Sequence, residues 1–139
     1  MTLQIPQLPV EFMNLDHAHA AEQLEALTDA LAEYAADPAR LATLCQAFLD
    51  HNRAHFAREE AAMQAAGFPP YPVHKAEHDR VLTDLEDLVQ AIAGGLPEAD
   101  VAQRVKHDLP HWLLNHVETM DRVTAHWLAA HAPASGMPI

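Results

Sequence analysis

Apolar side chains recur every three or four residues through most of this chain, which is the spacing of an amphipathic helix. The stripe is clear at Leu24, Leu27 and Leu31, and again at Val81 and Leu85. Proline and glycine interrupt the pattern at three places and so separate four helical regions. The predicted helices cover about residues 11–34, 38–66 and 72–93, with a fourth region that follows Pro97 and reaches about residue 130.

Local signals indicate where these helices begin and end. Asp37 followed by Pro38 is typical of an N-cap and a first helical position, and Gly67 is typical of a helix stop. Pro110 lies inside the fourth region, where its ring and its missing N–H predict a kink or a break. The tail, residues 132–139, is expected to be loose.

The fold class predicted from this pattern is all-α. Short connections make sequential helices antiparallel neighbours, so we expect an up-down-up-down four-helix bundle. A chain of 139 residues suits one domain with a substantial core. We therefore expect a single domain over residues 1–139, with its core at about 10–131.

Composition narrows the possible partners and the compartment. The net charge is −12, from 8 basic and 20 acidic residues, and such a surface disfavours nucleic acid and anionic membranes as partners. No segment is long and apolar enough to span a membrane, and the first residues lack a signal-peptide pattern. Cys45, the single cysteine, excludes an intrachain disulfide and is expected to be buried. A cytoplasmic protein is the prediction.

Histidine and acidic residues recur at helical spacing in three of the predicted helices. Residues four apart on a helix differ by about 40° around the axis and about 6 Å along it, so both side chains can reach one centre. His55 with Glu59 and His74 with His78 have this spacing. Such pairs, directed into a bundle from successive helices, predict a metal site of imidazole and carboxylate ligands.

The third pair, His116 and Asp121, is five residues apart. In a regular α-helix this spacing separates the two side chains by about 140° around the axis. We therefore expect them to approach the site from its two flanks, which requires a cluster of some width rather than a single ion.

The first helix offers two candidate ligands. His17 lies seven residues before Leu24 and therefore falls on the apolar stripe, whereas His19 aligns with Gln23 on a more polar face. Periodicity favours His17, and His19 remains the alternative.

The remaining histidines fit the site less well. His51 and His111 lie near ligand positions in sequence and could support ligands from outside, and Glu60 is expected to face solvent because it points about 100° away from Glu59. Three histidines lack a partner at ligand spacing and are expected at the surface: His107, His126 and His131.

These motifs resemble the signatures of one protein family. HFAREE at residues 55–60 resembles the HFxxEE signature of hemerythrins, and YPVHKAEH at 71–78 resembles the HxxxH helix that follows it. WLLNH at 112–116, with Asp121, is similar to their WLxxH(x4)D motif, and His17 completes the set. The resemblance covers about residues 10–130.

The N-terminal segment departs from the family pattern. Bacterial hemerythrins often carry a tryptophan in this arm and an aspartate three residues before the first ligand. Here the arm has no tryptophan, and Asn14 stands three residues before His17. Asp16 stands three before His19, which keeps both histidines open as the first ligand.

The resemblance implies a non-haem di-iron centre that binds O2 reversibly. One iron would be held by His74, His78 and His116, and the other by His17 and His55. Glu59 and Asp121 would bridge the two irons together with a solvent-derived oxo or hydroxo group. The second iron would keep one open position for dioxygen. The apolar lining is expected from Phe56, Trp112, Leu113 and Val117.

The identity of the metal and the role of the protein come from the resemblance rather than from the residues. Imidazole and carboxylate ligands suit iron, manganese, cobalt or zinc. Oxygen carriage, storage or delivery is the leading interpretation. The alternatives are a sensor or regulator that acts through a separate partner and a di-iron enzyme that acts on peroxide or NO. The sequence shows no separate acid–base pair or substrate pocket, which favours a binding protein over an enzyme.

Overall fold

The computed structural model describes residues 3–131, and within that range the regular structure is entirely helical. The four helices are α1 at Glu11–Ala30, α2 at Pro38–Ala65, α3 at Tyr71–Ala93 and α4 at residues 98–131. A 3₁₀ turn at Leu31–Glu33 continues α1, so the predicted end near residue 34 is reached in a tighter geometry. The tail that was predicted to be loose, residues 132–139, lies outside the described residues.

The helices form a bundle with short connections. Helix α2 packs against α1 and α3, and α4 packs against α1 and α2. The prediction of an all-α four-helix bundle is confirmed. The predicted boundaries also hold, since the Asp37 carboxylate accepts a hydrogen bond from the Arg40 N–H and Gly67 has a φ of +64° at the end of α2.

One half of the bundle interior is apolar. Its side chains come from all four helices and include Leu27, Leu41, Phe48, Leu85, Leu88, Ile92, Val101 and Val105. Cys45 is buried among them, and burial raises the pKa of its thiol to about 11. The Tyr34 hydroxyl donates a hydrogen bond to the Leu96 carbonyl at 2.7 Å and ties the first connection to the third. This packed apolar region fixes the spacing of the helices.

Helix α4 does not break at Pro110, although a break was one of the two outcomes predicted there from the sequence. The backbone instead widens into a π-helical turn at Arg104–Asp108, and the Leu109 N–H bonds to the Arg104 carbonyl five residues back. An α-helix resumes at Leu109–His116 with Pro110 in its first turn, where the missing N–H is tolerated. A second π turn, Val117–Asp121, precedes the last α-helical segment, Arg122–His131.

An N-terminal arm without regular secondary structure, residues 3–10, precedes α1. Leu8 and Val10 are buried in the apolar core and anchor the arm to the bundle. None of the helices in the described range is both long enough and apolar enough to cross a bilayer.

Candidate metal centre

The other end of the bundle interior contains a cluster of buried polar side chains. All seven residues predicted as ligands are buried there: His17, His55, Glu59, His74, His78, His116 and Asp121. They come from the start of α1, the end of α2, the start of α3 and the second half of α4, which meet at one level because neighbouring helices run in opposite directions. Four helices thus bring the predicted set together.

The donor atoms form two groups that share both carboxylates. One group contains three imidazoles with Glu59 and Asp121: His74, His78 and His116. The other contains two imidazoles with the same carboxylates: His17 and His55. Within each group the donor atoms lie within 4.8 Å of one another, which is the condition for binding one ion.

The π turn corrects the expected geometry of His116 and Asp121. In a π-helix the bonded residues are five apart, so five residues close about one turn instead of separating by about 140°. The two side chains therefore lie on the same side of α4, with His116 Nε2 and the Asp121 Oδ1 atom 3.1 Å apart. They do not flank the site, and both reach the same group of donors.

Glu59 lies between the two groups. Its Oε2 atom is 2.7 Å from His55 Nε2, and its Oε1 atom is 3.1 Å from His78 Nε2. Asp121 is placed similarly, with Oδ2 at 3.0 Å from His17 Nε2 and Oδ1 at 3.1 Å from His74 Nε2. Each carboxylate therefore directs one oxygen to each group, which is the arrangement of a ligand that bridges two ions.

The chemistry of this donor set fits metal ions better than a hydrogen-bonded network. In residues 3–131, both oxygens of Glu59, Oδ1 of Asp121 and Nε2 of His78 are buried without a hydrogen-bond partner. His74 Nε2 and His116 Nε2 lie only 3.2 Å apart and face the same point. Lone pairs that converge in a dry interior are costly unless a cation satisfies them. These residues therefore fit a pair of metal ions.

Three of the imidazoles are fixed from behind through Nδ1. His55 Nδ1 lies 2.8 Å from a carboxylate oxygen of Asp16, and His78 Nδ1 lies 2.9 Å from a carboxylate oxygen of Glu60. His74 Nδ1 lies 2.8 Å from the Thr124 hydroxyl oxygen. With the proton on Nδ1, each ring donates to this partner and keeps Nε2 as a free donor atom for the centre.

Glu60 is therefore not the solvent-facing residue predicted from α2 alone. Its side chain is only partly exposed, because α3 packs against that side of α2 and brings His78 to it. Asp16 and Thr124 were also missed as supporting residues. The HFxxEE motif could have suggested Glu60, because Glu60 is its second glutamate. Asp16 and Thr124 contact histidines on other helices, so no sequence spacing indicates their role.

Asp16 links the centre to the surface. The Arg58 guanidinium donates to its carboxylate at 2.6 Å, on the same oxygen that accepts from His55. Burial alone would raise the pKa of Asp16, but these two partners lower it to about 2. The carboxylate therefore stays charged and holds the imidazole of His55 in place.

The structure distinguishes the two histidines of α1. His17 is buried with Nε2 directed at Asp121, whereas His19 is exposed, and its ring lies 4.6 Å from that of His51. His51 Nε2 lies 3.0 Å from the Asp16 carbonyl oxygen, so His51 lies behind the site. His51 and His111 were the two histidines expected to be able to support ligands from outside. His111 is exposed, as are the three histidines predicted at the surface: His107, His126 and His131.

Aromatic rings surround the group of three imidazoles. Phe56 stacks on the His78 ring at 3.9 Å and 2°, and Trp112 stacks on the His116 ring at 4.7 Å and 19°. The Trp112 Nε1–H donates to Glu77 at 2.8 Å, so this indole is held at the edge of the site. Leu113 and Val117, also predicted as lining, are buried in the same helix at positions flanking His116.

We expect His17→Ala to lower the iron content of the purified protein, because the group of two imidazoles would keep only one. His19→Ala should leave the iron content at the wild-type value, because that side chain points to solvent. Metal analysis after identical reconstitution compares the two. Loss of iron in His19→Ala alone would overturn the placement of the first ligand.

We expect the metal-free protein to lose stability as the pH rises. Burial would lower the pKa of His55, but the carboxylates of Glu59 and Asp16 raise it to about 10. Because this folded-state pKa lies above the ordinary value of about 6.5, the stabilisation is complete below about pH 6.5 and is lost towards about pH 10. Denaturant unfolding across that range measures it.

His55→Gln serves as the control for this pH dependence, since it removes the titrating group. The iron-loaded protein should also lack the dependence, because the metal replaces the proton on Nε2. A metal-free protein whose free energy of unfolding stays level from pH 6.5 to 10 would contradict the expected titration.

The chain is similar to known proteins over most of its length. The profile of the hemerythrin HHE cation binding domain matches residues 8–128. A bacteriohemerythrin of Ralstonia nicotianae is 36% identical over 85% of this chain and 80% of its own length. Those of Methylococcus capsulatus and Aquifex aeolicus are 34% and 29% identical, over 60% and 84% of this chain and 63% and 88% of their own lengths. No solved structure matches the chain.

Proposed function

Because this chain belongs to the hemerythrin family, we propose that it binds dioxygen reversibly at a non-haem di-iron centre formed by the seven converging residues. Hemerythrin domains bind O2 at such a centre, and the buried histidine and carboxylate cluster supplies suitable donors. The observation that carries the proposal is the inequality of the two donor groups.

The inequality determines where an external ligand can bind. The two groups share Glu59 and Asp121, but one adds three imidazoles and the other adds only His17 and His55. An ion held by His17 and His55 with the two carboxylates would have one protein donor fewer than an ion held by the other group. That ion would have room for one small external ligand, which favours the binding of one dioxygen per centre.

The protein contributes fixed geometry and a dry environment. When bound, the two irons supply the electrons and the coordination position that dioxygen binding requires. Asp16, Glu60 and Thr124 hold three imidazoles with Nε2 facing inward, so the donors do not need to reorganise when a ligand enters. The rings of Phe56 and Trp112 exclude water from the side of His78 and His116.

The interior favours binding over catalysis. In the described part of the chain, the buried amide and aliphatic hydroxyl side chains are those of Asn14, Asn52 and Thr124. None of these side chains releases or accepts a proton near neutral pH. A reaction that consumes peroxide or NO requires protons at the centre, and the titratable side chains next to its ligands in the described residues, Asp16, His51 and Glu60, are already engaged in hydrogen bonds. We therefore propose carriage, storage or delivery of oxygen rather than turnover.

A reducing compartment such as the cytoplasm suits this role. The only cysteine, Cys45, is a buried free thiol. The acidic surface charge of −12 is unfavourable for nucleic acid.

Visible spectroscopy with metal analysis tests the proposal. The reduced, iron-loaded protein should gain a charge-transfer band on exposure to O2 and lose it when O2 is removed, over repeated cycles. Zinc in place of iron, or an irreversible change on the first exposure to air, would contradict reversible binding.

A further inference from the structure

His17 differs from three of the other four imidazoles at its outer nitrogen, Nδ1. The Nδ1 atoms of His55, His74 and His78 each have a protein oxygen as partner, whereas Nδ1 of His17 is buried and has none within residues 3–131. With a metal ion on Nε2, which faces the centre, Nδ1 of His17 would carry the proton and act as a hydrogen-bond donor. A buried donor of this kind requires an acceptor that the described protein does not supply.

A cavity adjoins His17 on the side of the N-terminal arm. It has a volume of about 210 Å³ and lies between the arm and α1. Its polar wall includes Gln7, Asn14, His17 and Glu22, and small residues such as Ala18 leave it open. Of the seven donor residues, His17 is the one that borders this cavity, so one side chain connects the cavity to the centre.

Asn14 holds the arm over this cavity. Its Oδ1 accepts a hydrogen bond from the Leu8 N–H at 2.8 Å, and its Nδ2 donates to the Leu8 carbonyl at 2.8 Å. An aspartate could make only the first of these bonds, because a carboxylate has no hydrogen to donate. Asn14 therefore holds the arm by hydrogen bonds to both the N–H and the carbonyl of Leu8.

We propose that this cavity is a binding site for water, and that a bound water accepts the hydrogen bond from His17 Nδ1–H. The volume exceeds that of one water in the liquid, about 30 Å³, so a small hydrogen-bonded cluster fits. The wall supplies the two to four polar partners that an internal water requires. Exposed Glu22 at its edge disfavours anions. The proposal rests on the proposed function, because the metal keeps the proton of His17 on Nδ1.

The water site makes the two imidazoles on the oxygen-binding side unequal. His55 donates to a charged carboxylate, which strengthens it as a metal ligand, whereas His17 donates to neutral water. The site also gives His17 a connection to bulk solvent whose rate depends on opening of the arm. Asn14, which holds the arm in place, therefore controls how fast the Nδ1 proton of His17 exchanges with solvent.

Proton exchange in the iron-loaded, reduced protein tests this site. Imidazole N–H protons beside paramagnetic iron are shifted out of the normal proton spectrum, so their exchange with D2O can be followed one by one. Asn14→Ala should accelerate the exchange of one such resonance about tenfold or more, while those of His55, His74 and His78 keep their rates. Asn52→Ala is the matched control, because this buried asparagine lies on α2 and bonds to Phe48 instead of the arm.

A second variant fills the cavity without touching the arm. Ala18→Leu should displace water and change the shift and exchange rate of the same resonance, whereas Ala54→Leu, at an exposed site on α2, should change neither. A high-resolution crystal structure of the iron-loaded protein should show ordered water within hydrogen-bond distance of His17 Nδ1.

A dry cavity, a protein partner on Nδ1, or an unchanged set of exchange rates in Asn14→Ala would overturn the water site. Those results leave the di-iron proposal intact, since the shifted resonances would still be present. Absence of any shifted resonance in correctly folded protein would instead count against the di-iron centre itself.

Discussion

Replacing Glu59 with glutamine is expected to weaken the binding of both irons severely. Its two oxygens serve different groups, with Oε2 at 2.7 Å from His55 and Oε1 at 3.1 Å from His78. Glutamine keeps the size but loses the charge and one of the two acceptor oxygens. The affinity for each ion should fall by at least about 100-fold, more than for a residue that only supports a ligand. Metal analysis after dialysis against a chelator measures the loss.

Two neighbouring glutamates give graded controls. Glu60→Gln weakens the support of His78, so we expect affinity to fall by roughly 10–100-fold while both irons still bind when iron is in excess. Glu118→Gln changes an exposed side chain and should leave the iron content unchanged. If Glu59→Gln retained both irons under the conditions in which wild type does, the bridging role would be wrong.

Removal of iron is expected to lower the melting temperature substantially. Five imidazoles and two carboxylates are buried together, and without metal their converging lone pairs and charges are left poorly satisfied. A ligand present at about 1,000 times its dissociation constant stabilises the folded state by about 4 kcal/mol. For a domain of this size that corresponds to a fall in Tm on the order of 10 °C or more. Calorimetry of iron-loaded and metal-free protein measures it.

Reloading provides the control for that experiment. Metal-free protein supplied again with iron should recover the higher Tm, and the chelator alone should not change the transition of protein already free of metal. An identical Tm in verified metal-free and iron-loaded protein would show that the cluster is not coupled to folding.

Helical spacing was sufficient to predict the bundle and the convergence of most of the site. His55 with Glu59 and His74 with His78 keep their relation because α2 and α3 are regular α-helices through those residues. The seven-residue spacing from Leu24 placed His17 on the buried side of α1, and that placement agrees with the structure. The positions of these residues could be predicted because the helices that hold them are regular.

The same reasoning failed in α4 because that helix is not regular. The π turns at Arg104–Asp108 and Val117–Asp121 change the number of residues per turn. The helix therefore continues through Pro110 without the break that was one of two predicted outcomes, and the 140° expected between His116 and Asp121 is wrong. No simple periodicity marks a π turn. A five-residue spacing between two candidate ligands is the signal that could have suggested one.

The supporting contacts between helices could not be predicted from the sequence for a different reason. Asp16 contacts His55 across α1 and α2, and Thr124 contacts His74 across α4 and α3. Such pairs depend on the axial register of neighbouring helices, which hydrophobic periodicity does not determine.

The stoichiometry of oxygen binding tests the inequality of the two donor groups most directly. Anaerobic, reduced protein with a measured iron content is titrated with O2 while the visible band is recorded. The predicted end point is one O2 for every two irons, with the bound gas recovered under vacuum. An end point of one O2 per iron, or uptake that vacuum does not reverse, would contradict a centre in which only the ion beside His17 and His55 is open.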